Sequence, residues 1–184
     1  MSLLIILLVT LGGLYHFYVK VIKARNFLDE ALSGIDVQLE RRYDVLPNIL
    51  TIAQKFMTHE RAMITEITEL RTKAMNAVSG SAEKFGAENE LSSKVANLMI
   101  SVENYPQLKS NDVMIEAMKS YQDIEENIAA ARRFYNTALR KLHDAVKIFP
   151  GSLFAGCAGN YEKFSYFEAE ESHKKSIKAS DYLK

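Results

Sequence analysis

The sequence predicts an all-α protein in which one N-terminal transmembrane helix holds a long antiparallel helical bundle against the bilayer. Three observations predict it. The first 19 of the 184 residues contain no Lys, Arg, Asp or Glu, apolar residues recur at steps of three and four along most of the rest, and only three prolines and eight glycines interrupt the chain. The first pattern is typical of a membrane span, and the other two are typical of long helices.

Three parts are predicted along the chain. Residues 1–20 form a transmembrane anchor, and residues 21–149 form a bundle of three to four helices. Residues 150–184 form a loop-rich C-terminal segment with a flexible tail, because small residues follow Pro150 and the last twenty residues carry mixed charge with few apolar side chains.

The anchor is predicted within a nearly unbroken apolar run from Leu3 to Val19. As a helix, these residues reach roughly 25 Å, slightly less than the hydrocarbon thickness of a bilayer. Side chains at the C-terminal end extend this reach, because aromatic rings favour the membrane interface and long basic side chains reach beyond it. The predicted membrane-interface residues are Tyr15, Phe17, Tyr18, Lys20, Lys23 and Arg25.

The lipid bilayer, contacted through residues 3–19, is therefore the first predicted partner. No basic region precedes the apolar run and no small-x-small site follows it, which favours a retained anchor over a cleaved signal peptide. Lys20, Lys23 and Arg25 have no counterpart on the short N-terminal side of the span. The positive-inside rule then predicts an N-terminus outside and a body in the cytoplasm.

The bundle is predicted from three apolar seams. The longest consists of Met114, Ala117, Tyr121, Ile124, Ile128, Ala131, Tyr135, Ala138, Leu142, Ala145 and Phe149. The second consists of Ile49, Ala53, Phe56, Glu60, Met63, Ile67, Leu70, Ala74 and Ala77. The third consists of Leu28, Leu32, Ile35, Leu39, Tyr43 and Leu46. Such coiled-coil-like stripes must be buried against each other, because an isolated helix that exposes one would not be soluble.

Helix ends are predicted where turn and cap residues interrupt the seams. Gly80 suits the left-handed position after the second seam, and Ser81 suits the cap of a helix that runs to about Asn104. The dipeptide Tyr105-Pro106 starts a turn, and Ser110, Asn111 or Asp112 caps the last long helix, which ends before Pro150.

Pro47 leaves two arrangements open. A proline inside a helix loses one backbone hydrogen bond, yet the apolar period passes from Leu46 to Ile49 without losing phase. We favour a kink at Pro47 in one long helix over a tight corner there. The kinked helix projects the bundle away from the bilayer, whereas the corner folds it back towards the headgroups.

The composition argues against several functions. Lys plus Arg and Asp plus Glu number 23 each, so no basic excess favours a nucleic-acid partner. Cys157 is the only cysteine, and His59-Glu60 begins a zinc-protease motif whose second ligand position holds Met63. No phosphate-binding glycine motif occurs. We predict no catalytic, cofactor-binding or metal site, no cofactor and no enzyme.

Two arginine pairs form the one predicted polar interaction site. Arg41-Arg42 lies among carboxylates, and Arg132-Arg133 follows Glu125 and Glu126. Salt bridges between and along helices are the favoured interpretation, and an anion or headgroup site is the alternative. The residues of this predicted site are Arg41, Arg42, Tyr43, Asp44, Arg132 and Arg133.

Several runs resemble the LemA family. They are Asn-Phe-Leu-Asp-Glu-Ala-Leu from Asn26, His59-Glu60-Arg61, Val-Glu-Asn-Tyr-Pro-Gln-Leu-Lys from Val102, Ala-Arg-Arg-Phe-Tyr-Asn from Ala131, Phe149-Pro150-Gly151 and Tyr-Phe-Glu-Ala-Glu from Tyr166. The resemblance implies a bacterial membrane protein with a single N-terminal span and a helical domain. It implies no activity and no catalytic residues.

Three functions are weighed. The favoured one is a structural or interaction scaffold at the bacterial inner membrane, partnered by copies of itself or by another membrane protein, since long seams often extend beyond what one chain covers. The second is membrane shaping by oligomers. The third is a ligand sensor or enzyme with a polar site between helices around Arg42, Tyr43, Arg132 and Arg133.

Overall fold

A computed structural model describes residues 1–168 and confirms the all-α class, with an N-terminal apolar helix followed by a helical bundle. The described part contains five α-helices and no β-strand: α1 Ser2–Phe56, α2 Arg61–Asn76, α3 Ala82–Val102, α4 Pro106–Lys109 and α5 Asp112–Lys147. Two 3-10 segments follow, Gly151–Ala158 and Tyr161–Lys163. The predicted flexible tail rests on the last twenty residues; Phe167 among them is buried, and residues 169–184 lie outside the described residues.

Helix α1 joins the apolar segment to the bundle without interruption over 55 residues. Its N-terminal part is long and apolar enough to cross a membrane, and no residue of that part is buried against the rest of the protein. The first buried side chain of α1 is Val21. The helix thus provides one candidate transmembrane span and then becomes a wall of the bundle.

Helix α1 continues through Pro47, as the favoured interpretation predicted, and the alternative corner at Pro47 is wrong. Proline has no N–H to donate to the carbonyl group four residues earlier, which here belongs to Tyr43. Arg71 of α2 replaces the missing donor, because its Nε donates to the Tyr43 carbonyl oxygen at 3.0 Å. A neighbouring helix therefore compensates for the lost hydrogen bond.

The corner that turns the chain back lies instead at residues 57–60, between α1 and α2. The prediction of one helix along the whole second seam is therefore wrong: Ile49–Phe56 belongs to α1, and Met63–Ala74 belongs to α2. The apolar steps of three and four continue across the turn because α1 and α2 both bury their apolar faces in the same core. Glu60, its charged member, accepts a hydrogen bond from the Tyr105 hydroxyl at this corner.

Two antiparallel pairs make the bundle. Helix α1 packs along α5, and α2 packs along α3, while the short α4 links α3 to α5 at the end away from the candidate span. Phe27 of α1 contacts Phe134 of α5, and Arg42 further along α1 reaches Glu125 earlier in α5, which shows the opposite directions of the two helices. The side chains between the two pairs form the site below.

The predicted caps are confirmed. Ser81 Oγ accepts a hydrogen bond from the backbone N–H of Lys84 at 3.1 Å, and Asn111 Oδ1 accepts one from Met114 at 3.0 Å. Gly80 has the expected positive φ of 77°, but α2 ends at Asn76, so the glycine belongs to the following turn.

The prediction that Phe149 belongs to the buried face of the last long helix is wrong. Phe149 lies beyond the end of α5 and is 76% exposed. The division of the chain into parts at residues 20 and 149 stays a prediction.

Candidate functional site

A buried ion pair lies at the centre of the bundle. Arg42 of α1 and Glu88 of α3 are each only 1% exposed, and the Arg42 guanidinium donates to the Glu88 carboxylate. Two charges removed from water in this way are stable only when each has a counter-charge and further hydrogen bonds. The neighbouring helices provide both.

Helix α5 supplies the second carboxylate of the network. Arg42 Nη1 donates to Glu125 Oε1 at 2.7 Å, and it also donates to Ser92 Oγ of α3. Glu125 is 29% exposed, so one side of the network reaches the surface. A single guanidinium thereby bonds to α3 at two side chains and to α5 at one.

The remaining oxygen of Glu88 is used by Tyr43 and Lys84. The Tyr43 hydroxyl donates to Glu88 Oε1, and the Lys84 ammonium lies 3.9 Å from the same oxygen. Lys84 Nζ also donates to the Ala74 carbonyl oxygen of α2 at 3.2 Å. All four long helices therefore contribute to one polar network.

Burial shifts the pKa values of three side chains in and beside this network. It raises the pKa of Tyr43 to about 12, with Arg42 acting in the opposite direction. Burial also raises the pKa of Tyr121 and lowers the pKa of Lys84. Each shift opposes the charged form, because water has been replaced by protein around the group. The two tyrosines therefore stay neutral across the physiological pH range.

The C-terminal segment packs on α3 and α5 next to this network. Phe167 stacks on Phe85 of α3 with ring centroids 4.1 Å apart, and the Arg132 guanidinium lies 3.8 Å from the centroid of the Phe167 ring. Asn136 of α5 bonds to both the backbone N–H and the carbonyl oxygen of Phe167. These contacts fix the segment along the groove between α3 and α5.

Past Phe167, the described residues leave the same groove as an open cleft. It has a volume of about 780 Å³ and runs from Asn89 and Arg132 to Lys109 and Ile115. Its floor is mainly apolar, with Met99, Val102, Met118 and Ile128 among its lining residues. Glu125 and Tyr121 also line it, so the cleft touches the buried ion-pair network from one side. The arrangement suits an apolar segment that carries a few polar groups.

The structure divides the six residues of the predicted polar site. Arg42 and Tyr43 are in the buried network, and Arg132 is half-buried at the mouth of the cleft, where Nη2 donates to Asn89 Oδ1 at 3.0 Å. Arg41, Asp44 and Arg133 are exposed on outer faces of their helices. A common site that contains all six stays a prediction.

Sequence reasoning missed the partners of Arg42. Glu88 falls between Phe85 and Leu91 in the apolar seam of α3, at the step of three where a core residue is expected. A single charged side chain in such a seam indicates a buried counter-charge on another helix. That signal could have identified Glu88, whereas Ser92 carries no comparable signal.

No metal site is evident in the described part of the chain. Among residues 1–168, no three side chains of His, Cys, Asp or Glu come together as metal ligands would.

Comparison with known proteins identifies relatives of the whole bundle. The family model described as "LemA family" matches residues 31–180. Protein LemA of Metamycoplasma hominis is 22% identical over 178 residues, covering 95% of this chain and 81% of that protein. Magnetosome protein MamQ 2 of Paramagnetospirillum magneticum is 21% identical over 161 residues, covering 74% of this chain and 59% of that protein. Magnetosome protein MamQ of Magnetospirillum gryphiswaldense is 22% identical over 160 residues, covering 73% of this chain and 58% of that protein. The chain thus spans about three fifths of the length of these magnetosome relatives.

Replacing Arg42 with methionine should lower the free energy of unfolding by about 3–5 kcal/mol. The substitution keeps much of the side-chain volume but leaves the Glu88 carboxylate buried without its counter-charge. The double substitution Arg42→Met, Glu88→Leu should recover part of the loss, because it removes both buried charges. Chemical denaturation of the full-length protein in detergent micelles measures both variants.

Lys94→Met is the matched control. Lys94 also forms an ion pair between helices, 2.7 Å from Glu66, but both side chains are at least one-third exposed. Its removal should cost less than about 1 kcal/mol. Equal losses for Lys94→Met and Arg42→Met would contradict a special role for the buried pair.

Proposed function

The chain belongs to the LemA family, and from this premise we propose that it is a membrane-anchored scaffold at the bacterial inner membrane and not an enzyme. The observation that carries the proposal is the open cleft between α3 and α5, held at the side of a bundle that is continuous with the candidate span. Such a groove offers binding energy through apolar contact. The proposed task is assembly of proteins next to the bilayer.

The proposed orientation places the N-terminus outside and the bundle in the cytoplasm. It is supported by the basic residues that follow the apolar run, Lys20, Lys23 and Arg25. Positive charges close to the end of a span favour the cytoplasmic side. We propose no nucleic-acid partner, because the chain has no net charge.

The proposed occupant of the cleft is a second copy of this chain. The apolar stripe of α5 continues to its N-terminal end, where Ile115 is 50% exposed and Met118 lines the cleft. The stripe of α3 likewise continues through Met99, which lines the cleft and is only partly buried. Seams that one chain leaves partly open favour association between copies.

Two alternatives use the same cleft. Membrane shaping would need the copies to assemble into larger arrays rather than pairs. A ligand-sensing role rests on Arg132, whose Nε is buried and makes no hydrogen bond to the described residues. An anionic group in the cleft could accept from that donor.

Photo-cross-linking in native membranes tests the scaffold proposal. A photoreactive amino acid at Ala96 or Gln122, which both line the cleft, should give an adduct of two copies of the full-length chain. The same probe at Glu69, exposed on α2, is the matched control and should give no such adduct.

The pattern of adducts separates the proposals. Adducts with other proteins from the cleft positions alone would keep a scaffold but overturn self-association. A ladder of adducts larger than pairs would favour membrane shaping. Equal yields from the cleft and control positions, or none from either, would contradict a scaffold that acts through this cleft.

Orientation can be tested with a single engineered cysteine. Val113 is 63% exposed at the far end of the bundle, and Cys157 is the only native cysteine. In the variant Val113→Cys, Cys157→Ser, a membrane-impermeant maleimide should label the protein only after the cells are permeabilised. Labelling in intact cells would place the bundle outside and contradict the proposal.

A further inference from the structure

The segment after α5 is fixed against α1 at the level where the candidate span ends and the bundle begins. Gly151 packs so closely that an added Cβ atom would lie 2.1 Å from the carbonyl oxygen of Ala145 and 4.0 Å from Val21. The Phe154 ring meets the edge of the Tyr18 ring, with centroids 6.0 Å apart. This end of the bundle therefore has a defined position relative to α1.

Three large apolar side chains point away from the core at this end. Ile148 is 63% exposed, Phe149 is 76% exposed and Leu153 is 65% exposed. They follow one another around a turn whose small residues, Gly151 and Ala158, are buried. A turn that buries its small residues and exposes its large apolar ones suits an apolar environment outside the protein.

A cationic cavity lies at the same end, between α1 and α5. It has a volume of about 550 Å³ and is lined by Lys20, Lys23 and Lys141 together with one carboxylate, Asp144. The Lys141 ammonium lies 4.8 Å from the centroid of the Phe27 ring, which also lines the cavity. Within residues 1–168, none of these three lysines forms an ion pair shorter than 4.0 Å.

The length of the span brings this end to the bilayer surface. The run from Ser2 to Tyr18, in which no residue is buried, covers roughly 25 Å as a helix, whereas the hydrocarbon core of a bilayer is about 30 Å thick. A run of this length places the residues just after Tyr18 at the edge of the hydrocarbon core, next to the polar headgroups. Phe154, which touches Tyr18, and the lysines at positions 20 and 23 lie at that depth.

We infer that this end of the bundle is a second membrane contact, distinct from the span. In it, Ile148, Phe149 and Leu153 enter the interface of the bilayer, and Lys20, Lys23 and Lys141 bind the phosphate group of an anionic phospholipid. Apolar side chains at this depth and lysines near anionic headgroups both favour binding. With two contacts instead of one, the bundle has a fixed tilt and rotation, so the cleft faces one direction along the membrane.

Site-directed spin labelling tests this inference, which rests on the proposed membrane anchoring. Full-length protein with Cys157→Ser carries one nitroxide label at a time, at Phe149→Cys, Val9→Cys or Val113→Cys, in vesicles of phosphatidylethanolamine and phosphatidylglycerol. Labels at 149 and 9 should collide more with oxygen, which concentrates in lipid, than with a water-soluble nickel chelate. The label at 113, exposed at the far end of the bundle, should show the reverse.

The control at position 9 separates two kinds of failure. A label at 9 that lies in water would contradict the membrane anchor, and the proposed function would fail with it. A label at 9 in lipid and a label at 149 in water would overturn the second contact alone.

A variant with Lys20→Gln, Lys23→Gln and Lys141→Gln tests the headgroup part. These lysines are exposed, so the fold should persist. The label at 149 should shift towards water in this variant, and it should shift likewise when phosphatidylcholine replaces phosphatidylglycerol. If neither the lysine substitutions nor the change of lipid alters the depth of the label at 149, the proposed binding of an anionic headgroup is wrong.

Discussion

The whole structure depends on one helix that must suit two solvents. From Ser2 to Val19, α1 has no charged acidic or basic side chain and offers apolar groups on every side, which lipid accepts and water does not. From Val21 onward only one stripe of the same helix is buried, and the other faces carry charge. Because no break separates the two parts, the position of the bundle relative to the span is set by helical geometry and not by a linker. The elements that pack on α1, chiefly α5 and the 3-10 segment after it, therefore have a defined position relative to the span.

The polar network at the centre of the bundle joins α3 and α5 to α1. Pro47 sits within α1 and costs one backbone hydrogen bond, and Arg71 of α2 restores a donor to the affected carbonyl group. One turn earlier, Arg42 is buried and needs carboxylates, which α3 and α5 provide. Such groups favour one register of the helices over others, because any sliding of α3 would leave a charge without a partner. The network therefore fixes the walls of the cleft next to it.

Sequence reasoning predicted the helical class, the candidate span, the two side-chain caps and the continuity of α1 through Pro47, because all of these depend on local spacing and local chemistry. It missed the corner between α1 and α2, since the steps of three and four continue when two consecutive helices bury the same face in one core. It also assigned Phe149 to the core, because a periodic pattern does not reveal that α5 ends at Lys147. For the site, the sequence drew attention to Arg42, Tyr43 and Arg132 but not to Glu88 and Ser92, which meet Arg42 only through the pairing of distant helices. The cleft could not be predicted, because it depends on how α3 and α5 are spaced in the bundle, which no local sequence pattern encodes.

The central claim is that one uninterrupted helix runs from the membrane to the far end of the bundle. A distance measurement by double electron–electron resonance tests it directly, with spin labels at Lys23→Cys and Lys55→Cys in the Cys157→Ser background. Both positions are exposed on α1. A continuous helix predicts a separation of about 48 Å between the two labelled positions. A separation below about 40 Å would indicate a corner within this stretch and would contradict the account.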